Sequence, residues 1–448
     1  MKLSVMFKKC RVESTYRLIA LTFFVLIMSG ALLLMLPKAS VTGESLRFID
    51  ALFTATSASC VTGLVVVDTG TYFSTFGQMI VILLIQLGGL GIMTFATLFS
   101  IAFGKKINLQ DRLRIQESLN QDEITGVVRM ILKVVKYTFC IEAFFGTIMA
   151  VYFYQGMGLK GIYWGYWHAV SAFCNAGFDL MGNYDSLVNY VGDWTINLSI
   201  TSLITLGSIG FAVMEDVLAK RNFRDLRLHS KIAIVTTLAL TIIGTLVIRW
   251  TEAGNVDTIA NLTEGEKMLA SYFQSITPRT AGFNTVPLDK LRPATAFLMV
   301  IWMMIGASPG GTGGGIKTTT FAVAVLAVWN MLHNRFEVVA FQRSVDKSVI
   351  YRSFMIIVLA VLWVCTATFL IACFEQRNFL AFLFEVASAF ATVGLSMGET
   401  RSICDASKIV LILTMFAGRV GILTFAMALT NRHPESNIKY PKGKIAIG

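Results

Sequence analysis

The sequence predicts an all-α membrane protein made of four copies of one unit, in which a helix, a re-entrant loop and a second helix follow one another. The chain of 448 residues is 55% hydrophobic and 15% charged, and its mean hydropathy is +0.67. Such values are typical of membrane proteins. Long apolar stretches recur along the chain, and a shorter apolar segment that ends in glycine recurs between them four times.

Eight long apolar stretches predict eight transmembrane helices, because about 20 helical residues match the hydrocarbon core of a bilayer. They lie at 18–36, 73–103, 134–156, 194–218, 232–250, 293–333, 353–374 and 409–431. The first stretch is too long for the apolar core of a cleaved signal peptide. We therefore interpret it as a membrane helix.

Shorter apolar segments lie within each pair of stretches, and they are too short to span a bilayer. They cover 48–60, 162–174, 268–279 and 381–391, and their ends read SCVTGL, FCNAGF, PRTAGF and FATVGL. The glycines in these ends, Gly63, Gly177, Gly282 and Gly394, are separated by 114, 105 and 112 residues. A near-constant period of this kind marks repeated units, so we predict four re-entrant loops.

A second glycine cluster follows each loop inside the next long stretch. The clusters are LGGLG from Leu87, LGSIG from Leu206, IGASPGG from Ile305 and AGRVG from Ala417. The predicted organisation is an N-terminus (1–17), four repeats (18–104, 134–218, 232–333 and 353–431), three linkers (105–133, 219–231 and 334–352) and a tail (432–448).

The distribution of lysine and arginine predicts the orientation. The segments 1–17, 105–136, 215–231, 334–352 and 432–448, which lie on one side, carry 25 of these residues, and the opposite side carries 11. By the positive-inside rule both termini are cytoplasmic, and the loops enter from outside. The net charge of +11 therefore fits a lipid headgroup surface better than nucleic acid.

The cysteines and histidines predict no resident metal and no disulfide framework. The seven cysteines form no C-x-x-C pair, and the four histidines form no H-E-x-x-H motif. We expect no covalent cofactor and no enzymatic activity.

Four re-entrant loops around one axis predict a path for cations. A short helix that enters from outside points its negative C-terminal end at the membrane centre. Backbone carbonyls beyond it can then replace the hydration shell of an ion. The predicted filter residues are Val61, Thr62 and Gly63; Asn175, Ala176 and Gly177; Thr280, Ala281 and Gly282; and Thr392, Val393 and Gly394. The alternative, four plain helix C-caps, does not account for the near-constant spacing.

The stretch ASPGGTGGGIKTTT, from Ala307 to Thr320, could be mistaken for a phosphate-binding loop. That motif requires a lysine directly after glycine, and here Ile316 separates Gly315 from Lys317. Pro309 and the glycines 310, 311, 313, 314 and 315 instead predict a break in a membrane helix. A simple packing kink is the alternative.

These residues resemble the Trk/Ktr/HKT superfamily of potassium uptake proteins, in which four M1-P-M2 repeats each carry one filter glycine. FATVGL contains the T-V-G of potassium filters, and eight spans without an additional N-terminal pair resemble the Ktr-type membrane subunit. The resemblance implies uptake of K⁺ through one pseudo-fourfold pore, with K⁺ held at the filter residues and Gly63 favouring K⁺ over Na⁺. It also implies a homodimer in the cell membrane on cytoplasmic RCK/KTN-type nucleotide-binding subunits, and in several members a dependence on Na⁺.

The family position of the broken helix implies a gate in the loop 306–320. Its predicted residues are Gly310, Gly311, Thr312, Gly313, Gly314, Gly315, Lys317 and Arg419. Arg419 lies mid-span and is expected to act near the ion path, or to pair with loop carbonyls or with Glu142. Lys317 is expected to extend toward the cytoplasmic surface.

The third repeat departs from the others before its filter. Its serine, Ser275, is one residue out of step with Ser57, Ser171 and Ser388. Carbonyl geometry is therefore least regular there.

Two other functions are weighed against cation uptake. A membrane-bound nucleotide hydrolase would need the missing Walker lysine. A sodium-coupled secondary transporter of another solute would use pairs of broken helices of inverted topology, whereas here one loop type recurs in parallel.

Overall fold

The computed structural model describes residues 18, 20–91, 127–335 and 337–429, most of which are helical. In chain order the helices of eight or more residues are α1 (Ala20–Leu34), α2 (Phe48–Ser59), α3 (Thr75–Leu90), α4 (Val127–Met157), α5 (Leu159–Phe173), α6 (Trp194–Ser208), α7 (Phe211–Lys220), α8 (Leu228–Thr251), α9 (Glu264–Ile276), α10 (Pro293–Met304), α11 (Thr318–Leu332), α12 (Lys347–Phe374), α13 (Phe379–Ala391), α14 (Asp405–Val420) and α15 (Ile422–Leu429). A two-residue antiparallel hairpin, β1 (Val339–Ala340) and β2 (Arg343–Ser344), follows α11.

Several predicted segments lie outside the described residues. They are the N-terminus (1–17), residues 92–104 of the first repeat, residues 105–126 of the first linker, and the tail (432–448).

Three helices within the described ranges are long and apolar enough to cross a bilayer: Arg129–Met157 of α4, α8 and α12. A further span results if α6 and α7, which meet at an angle of 96°, count as one. The predicted span 293–333 consists of two helices, α10 and α11, on either side of a non-helical segment. The fold is thus largely helical and apolar, while the count of eight spans stays a prediction.

The helices α2, α5, α9 and α13 occupy the predicted re-entrant segments and contain 12, 15, 13 and 13 residues. At about 1.5 Å per residue they are too short to cross a bilayer. The third of them, α9, begins at a capping box, in which Thr263 and Glu266 each bond the backbone N–H of the other. Each short helix ends in non-helical backbone close to the centre of the molecule.

The second glycine clusters allow the following helices to contact the ends of the short helices. A Cβ built on Gly88, Gly207 or Gly418 would lie within 2.0 Å of the carbonyl oxygen of Ser59, Phe173 or Phe390 respectively. Each of these carbonyls belongs to the residue four positions before a filter glycine. Only hydrogen fits at these three contacts, so the clusters set how closely the next helix approaches the filter segment.

Positive-φ glycines also end or bend these following helices. The helix α3 ends at Gly91 (φ 84°), α6 turns into α7 at Gly210 (φ 94°), and α14 turns into α15 at Gly421 (φ 92°). Side chains with a Cβ rarely adopt this conformation. The last glycine of the cluster therefore ends a helix at the same position in three of the four predicted repeats.

An ion pair connects the first short helix to the last long one. Lys408 Nζ of α14 lies 2.7 Å from Asp50 Oδ1 of α2, and both side chains are largely buried. Arg47 and Asp405 pair beside them at 2.5 Å. Because the paired charges come from opposite ends of the chain, they join the first predicted repeat to the fourth.

We predict that Gly418→Ala destabilises the protein, because the new methyl group would overlap the Phe390 carbonyl. Overpacking of this kind typically costs about 1–3 kcal/mol, so the melting temperature in detergent should fall. The matched control is Gly156→Ala in α4, where a Cβ meets nothing within 4 Å. Helix propensity should make that control neutral or slightly stabilising. Equal melting temperatures for the two variants would contradict the close contact of α14 with α13.

Candidate functional site

The glycines that end the four predicted loops lie around one point. Their order around this point is their order in the chain. A Cβ built on Gly63 would lie 2.4 Å from a carbonyl oxygen of the second loop, and one on Gly177 would lie 2.7 Å from Gly282 Cα. A Cβ on Gly282 would lie 2.5 Å from a carbonyl oxygen of the fourth loop, and one on Gly394 would lie 2.2 Å from a carbonyl oxygen of the first. The four loops therefore form a closed ring of touching backbones.

The residues that precede these glycines share one backbone conformation. The residue two positions before each glycine has a positive φ: Val61 (57°), Asn175 (59°), Thr280 (68°) and Thr392 (51°). The glycines themselves have φ values between 68° and 94°. The intervening residues, Thr62, Ala176, Ala281 and Val393, are fully buried. Since β-branched residues are rarely found at positive φ, surrounding contacts must hold this conformation in place.

A hydroxyl group near the end of each short helix supplies one such contact. The amides of Gly63 and Gly394 donate to Ser57 Oγ and Ser388 Oγ at 3.1 and 3.0 Å. In the second loop the direction differs, since Ser171 Oγ donates to the carbonyl of the residue after the glycine at 2.7 Å. Each hydroxyl thus joins its helix to the glycine or to the residue that follows the glycine.

The third loop uses a threonine in the same role. Thr277 Oγ1 donates to the Phe283 carbonyl, while Ser275 Oγ donates to the Thr241 carbonyl in α8 at 2.8 Å. Ser275 is therefore not the counterpart of the other serines. Sequence reasoning compared serines only, whereas any hydroxyl of suitable reach can make the bond.

A cavity opens on one side of the four glycines. They line it together with two carboxylates, Asp68 and Asp179. Burial, followed by repulsion from Asp68 and Asp185, raises the pKa of Asp179 to about 7. Sequence reasoning missed both aspartates, although each follows a filter glycine by only a few residues.

The non-helical segment between α10 and α11 contacts residues that precede the glycines of the ring. Two of its amides are bonded to the end of α6, since Ser308 N donates to the Ser208 carbonyl at 2.9 Å and Thr312 N to the Gly207 carbonyl at 3.1 Å. A further amide, Gly314 N, donates to Thr392 Oγ1 of the fourth loop at 3.0 Å. The segment is thus fastened to the end of α6 and to the fourth loop.

Two glycines of this segment lie directly against filter threonines. A Cβ on Gly313 would lie 2.0 Å from Thr280 Oγ1, and one on Gly314 would lie 2.5 Å from Thr392 Oγ1. Gly310 and Gly315 have φ values of 73° and 70°. Any larger residue at Gly313 or Gly314 would displace the segment from the filter.

Arg419 bonds carbonyls rather than a carboxylate. Its guanidinium donates to the carbonyls of Thr312 and Gly88, and to that of Gly89 at 3.1 Å. Glu142, the alternative partner, accepts from Gln86 Nε2 at 3.2 Å. Of the two partners expected from the sequence, Arg419 therefore bonds the loop carbonyl and not Glu142.

Lys317 does not extend toward the surface as expected. Its Nζ turns back and donates to the Gly313 carbonyl at 2.6 Å. A carbonyl in non-helical backbone offers the ammonium a nearby acceptor, so the expectation of an outward-reaching side chain is wrong. Of the predicted gate residues, Gly311 also lies against α6, since its Cβ would be 2.8 Å from the Ser208 carbonyl oxygen.

Comparison with known proteins gives one family over nearly the whole chain. The family model for TrkH, a cation transport protein, matches residues 5–440. The Ktr system potassium uptake protein B of Bacillus subtilis is 42% identical over 433 residues, which are 96% of this chain and 96% of that protein. The potassium/sodium uptake protein NtpJ of Enterococcus hirae is 36% identical over 457 residues, covering both chains in full.

The fold has a counterpart among solved structures. The crystal structure of the potassium transporter TrkH from Vibrio parahaemolyticus superimposes with a TM-score of 0.72 at 19% identity, covering 93% of this chain and 85% of that one. At this identity the match speaks for the fold alone.

Proposed function

Because the chain belongs to the TrkH family of cation transport proteins, which are not enzymes, we propose that it takes up potassium across the cell membrane through a channel-like filter. One observation carries the proposal: four separate segments bring the same backbone conformation to one closed ring. The relatives described as potassium uptake proteins, at up to 42% identity, support potassium as the ion.

In this proposal the ring is the selectivity filter of four M1-P-M2 repeats around a pseudo-fourfold pore. The short helices α2, α5, α9 and α13 point their C-terminal ends at the ring, and these ends carry partial negative charge. Backbone carbonyls of the twelve predicted filter residues replace the hydration shell of K⁺. The buried hydroxyls of Thr62 and Thr280, which have no hydrogen-bond partner among the described residues, are further oxygens available to an ion. The Asp68 carboxylate, which lines the cavity, attracts cations to the outer entrance.

The segment between α10 and α11 acts as the gate. It lies against the inner side of the ring and is fastened by three amides and by Arg419, while Lys317 bonds Gly313 within the segment. An ion leaving the filter toward the cytoplasm must displace it. Because glycine lowers the barrier to a change in backbone conformation, the segment can move without unfolding α10 or α11.

The proposed assembly is a homodimer with cytoplasmic termini, gated by RCK/KTN-type nucleotide-binding subunits. The name of a relative, protein B of a Ktr system, supports a further subunit; the homodimer, the cytoplasmic termini and the nucleotide-binding nature of the subunits follow from the family resemblance. The relative NtpJ is described as a potassium/sodium uptake protein. We therefore include Na⁺ dependence in the proposal.

Uptake of potassium is tested with the protein in proteoliposomes and in cells that lack potassium uptake. We expect ⁸⁶Rb⁺ accumulation and growth at micromolar potassium when a matching cytoplasmic subunit is present. Absence of both would overturn the proposal. Sodium-coupled uptake of another solute without ⁸⁶Rb⁺ flux would favour the secondary transporter with broken helices.

We predict that Gly63→Ser lowers the preference for K⁺ over Na⁺. Gly63 has a φ of 93°, and a Cβ there would overlap the backbone of the second loop, so the filter must shift. The control is Gly43→Ser, at a φ of 75° in an outer turn where a Cβ meets nothing within 4 Å. It carries similar backbone strain of about 1 kcal/mol away from the filter. Competition of Na⁺ with ⁸⁶Rb⁺ uptake measures the preference, and equal effects of the two variants would refute the filter assignment.

We predict that releasing the gate segment raises flux. Deletion of Gly310 to Gly315, and independently Arg419→Met, should increase ⁸⁶Rb⁺ uptake in the absence of the cytoplasmic subunit, because both remove bonds that hold the segment. Arg249→Met, which removes an arginine paired with Glu264 at 2.6 Å, is the matched control. Folded variants with unchanged or lower flux would support a packing role for the segment.

A further inference from the structure

Each short helix carries a side chain three residues before its terminal hydroxyl that differs between the repeats. The hydroxyls belong to Ser57, Ser171, Thr277 and Ser388, and the residues in question are Thr54, His168, Gln274 and Glu385. Two of these four side chains reach across to the chain that follows the filter.

His168 bonds the segment after the second filter. The amide of Leu180 donates to His168 Nε2 at 3.2 Å, while His168 Nδ1 lies 2.7 Å from the Trp164 carbonyl oxygen. Since a carbonyl can only accept, the proton is on Nδ1 and Nε2 is the acceptor. The imidazole is fully buried, so no solvent competes for this bond.

Glu385 bonds the segment after the fourth filter at the same register. The amide of Met397 donates to its Oε1 at 3.0 Å, as does Ser396 Oγ at 2.6 Å. Thr400 Oγ1 donates to the other oxygen, Oε2, at 2.5 Å. Leu180 and Met397 are each three residues beyond their filter glycine, so His168 and Glu385 bond equivalent amides. We call each of these two side-chain bonds a brace.

The equivalent side chains in the other two repeats make no such bond. Thr54 Oγ1 donates to the Asp50 carbonyl within its own helix at 2.9 Å. The amide group of Gln274 is buried and has no hydrogen-bond partner within the described part of the chain. Because the loops follow one another around the ring in chain order, the two braced loops lie diagonally opposite.

We propose that His168 and Glu385 are positioning residues that hold two opposite arms of the filter and thereby set its preference for K⁺ over Na⁺. The inference rests on the proposed filter. The amide that each residue fixes lies three residues beyond the filter glycine. The terminal hydroxyl bonds the amide of the glycine itself in the fourth arm and the carbonyl of the residue after the glycine in the second. A braced arm thus has two side-chain bonds to the chain around its glycine, whereas an unbraced arm has one and can adjust to a smaller ion.

The test compares variants that remove the acceptor with variants that keep one. His168→Phe and Glu385→Leu retain apolar bulk but no acceptor, whereas His168→Gln keeps an oxygen for the Leu180 amide. Thr54→Val is the matched control, because it changes the equivalent position of an unbraced repeat. The measurement is ⁸⁶Rb⁺ uptake into proteoliposomes in competition with K⁺ and with Na⁺, with size-exclusion chromatography to show folding.

We expect the ratio of K⁺ to Na⁺ preference to fall about tenfold in His168→Phe and Glu385→Leu, the factor typical of one lost buried hydrogen bond. It should be near the wild-type value in His168→Gln and Thr54→Val. An unchanged ratio in folded acceptor-free variants, or an equal fall in Thr54→Val, overturns the proposal. A wild-type protein without ⁸⁶Rb⁺ uptake would instead overturn the proposed function.

Should Glu385→Leu not fold, Glu385→Gln serves in its place. Its amide keeps one acceptor oxygen for Met397 but offers no second one to the Thr400 hydroxyl. The ratio should then fall about threefold, roughly half the free-energy effect of the full loss. A ratio equal to that of the wild type would count against the brace.

Discussion

Non-helical backbone in an apolar helical body must find partners for its amides and carbonyls, and this constraint shapes the centre of the molecule. Lipid offers no hydrogen bonds, so such backbone is tolerated only where protein or a wet cavity satisfies it. Here serine hydroxyls accept from the amides of Gly63 and Gly394, and the His168 and Glu385 side chains accept from the amides of Leu180 and Met397. Carbonyls can then face the ring centre, where a cation is their natural partner.

The same constraint connects the ring to the segment beneath it. The segment has no regular structure of its own, so its amides bond the carbonyls at the end of α6 and the hydroxyl of Thr392. Its carbonyls receive Lys317 and Arg419. Since Arg419 also bonds carbonyls at the end of α3, one guanidinium links the segment to two long helices. A movement of α14 that displaced Arg419 would free the segment.

The four arms of the ring are only approximately symmetric, because they differ in the side chains that bond the backbone. All four arms share the positive-φ pattern, yet Thr277 replaces a serine in the third, and His168 and Glu385 bond the amide three residues beyond the glycine in the second and fourth. The ion pair between Asp50 and Lys408 joins the first unit to the fourth. The four units of the chain therefore support the ring with different side chains.

The sequence by itself determined the helical membrane character, the period of the four glycines, and the break in the helix after Met304. Each of these follows from local chemistry: apolar length, the missing Cβ of glycine, and the rigid ring of proline. The position of Ile316 between Gly315 and Lys317 likewise excluded a phosphate loop in this segment without any structure. Family membership follows from the same residues.

Only the tertiary structure decided which distant groups meet. Arg419 pairs with a loop carbonyl rather than Glu142, Lys317 turns back to Gly313, and Thr277 rather than Ser275 supports the third arm. Asp68 and Asp179 meet at one cavity. These contacts depend on how helices that are far apart in the chain pack against one another. The spacing of residues along the chain does not determine the direction in which a side chain points.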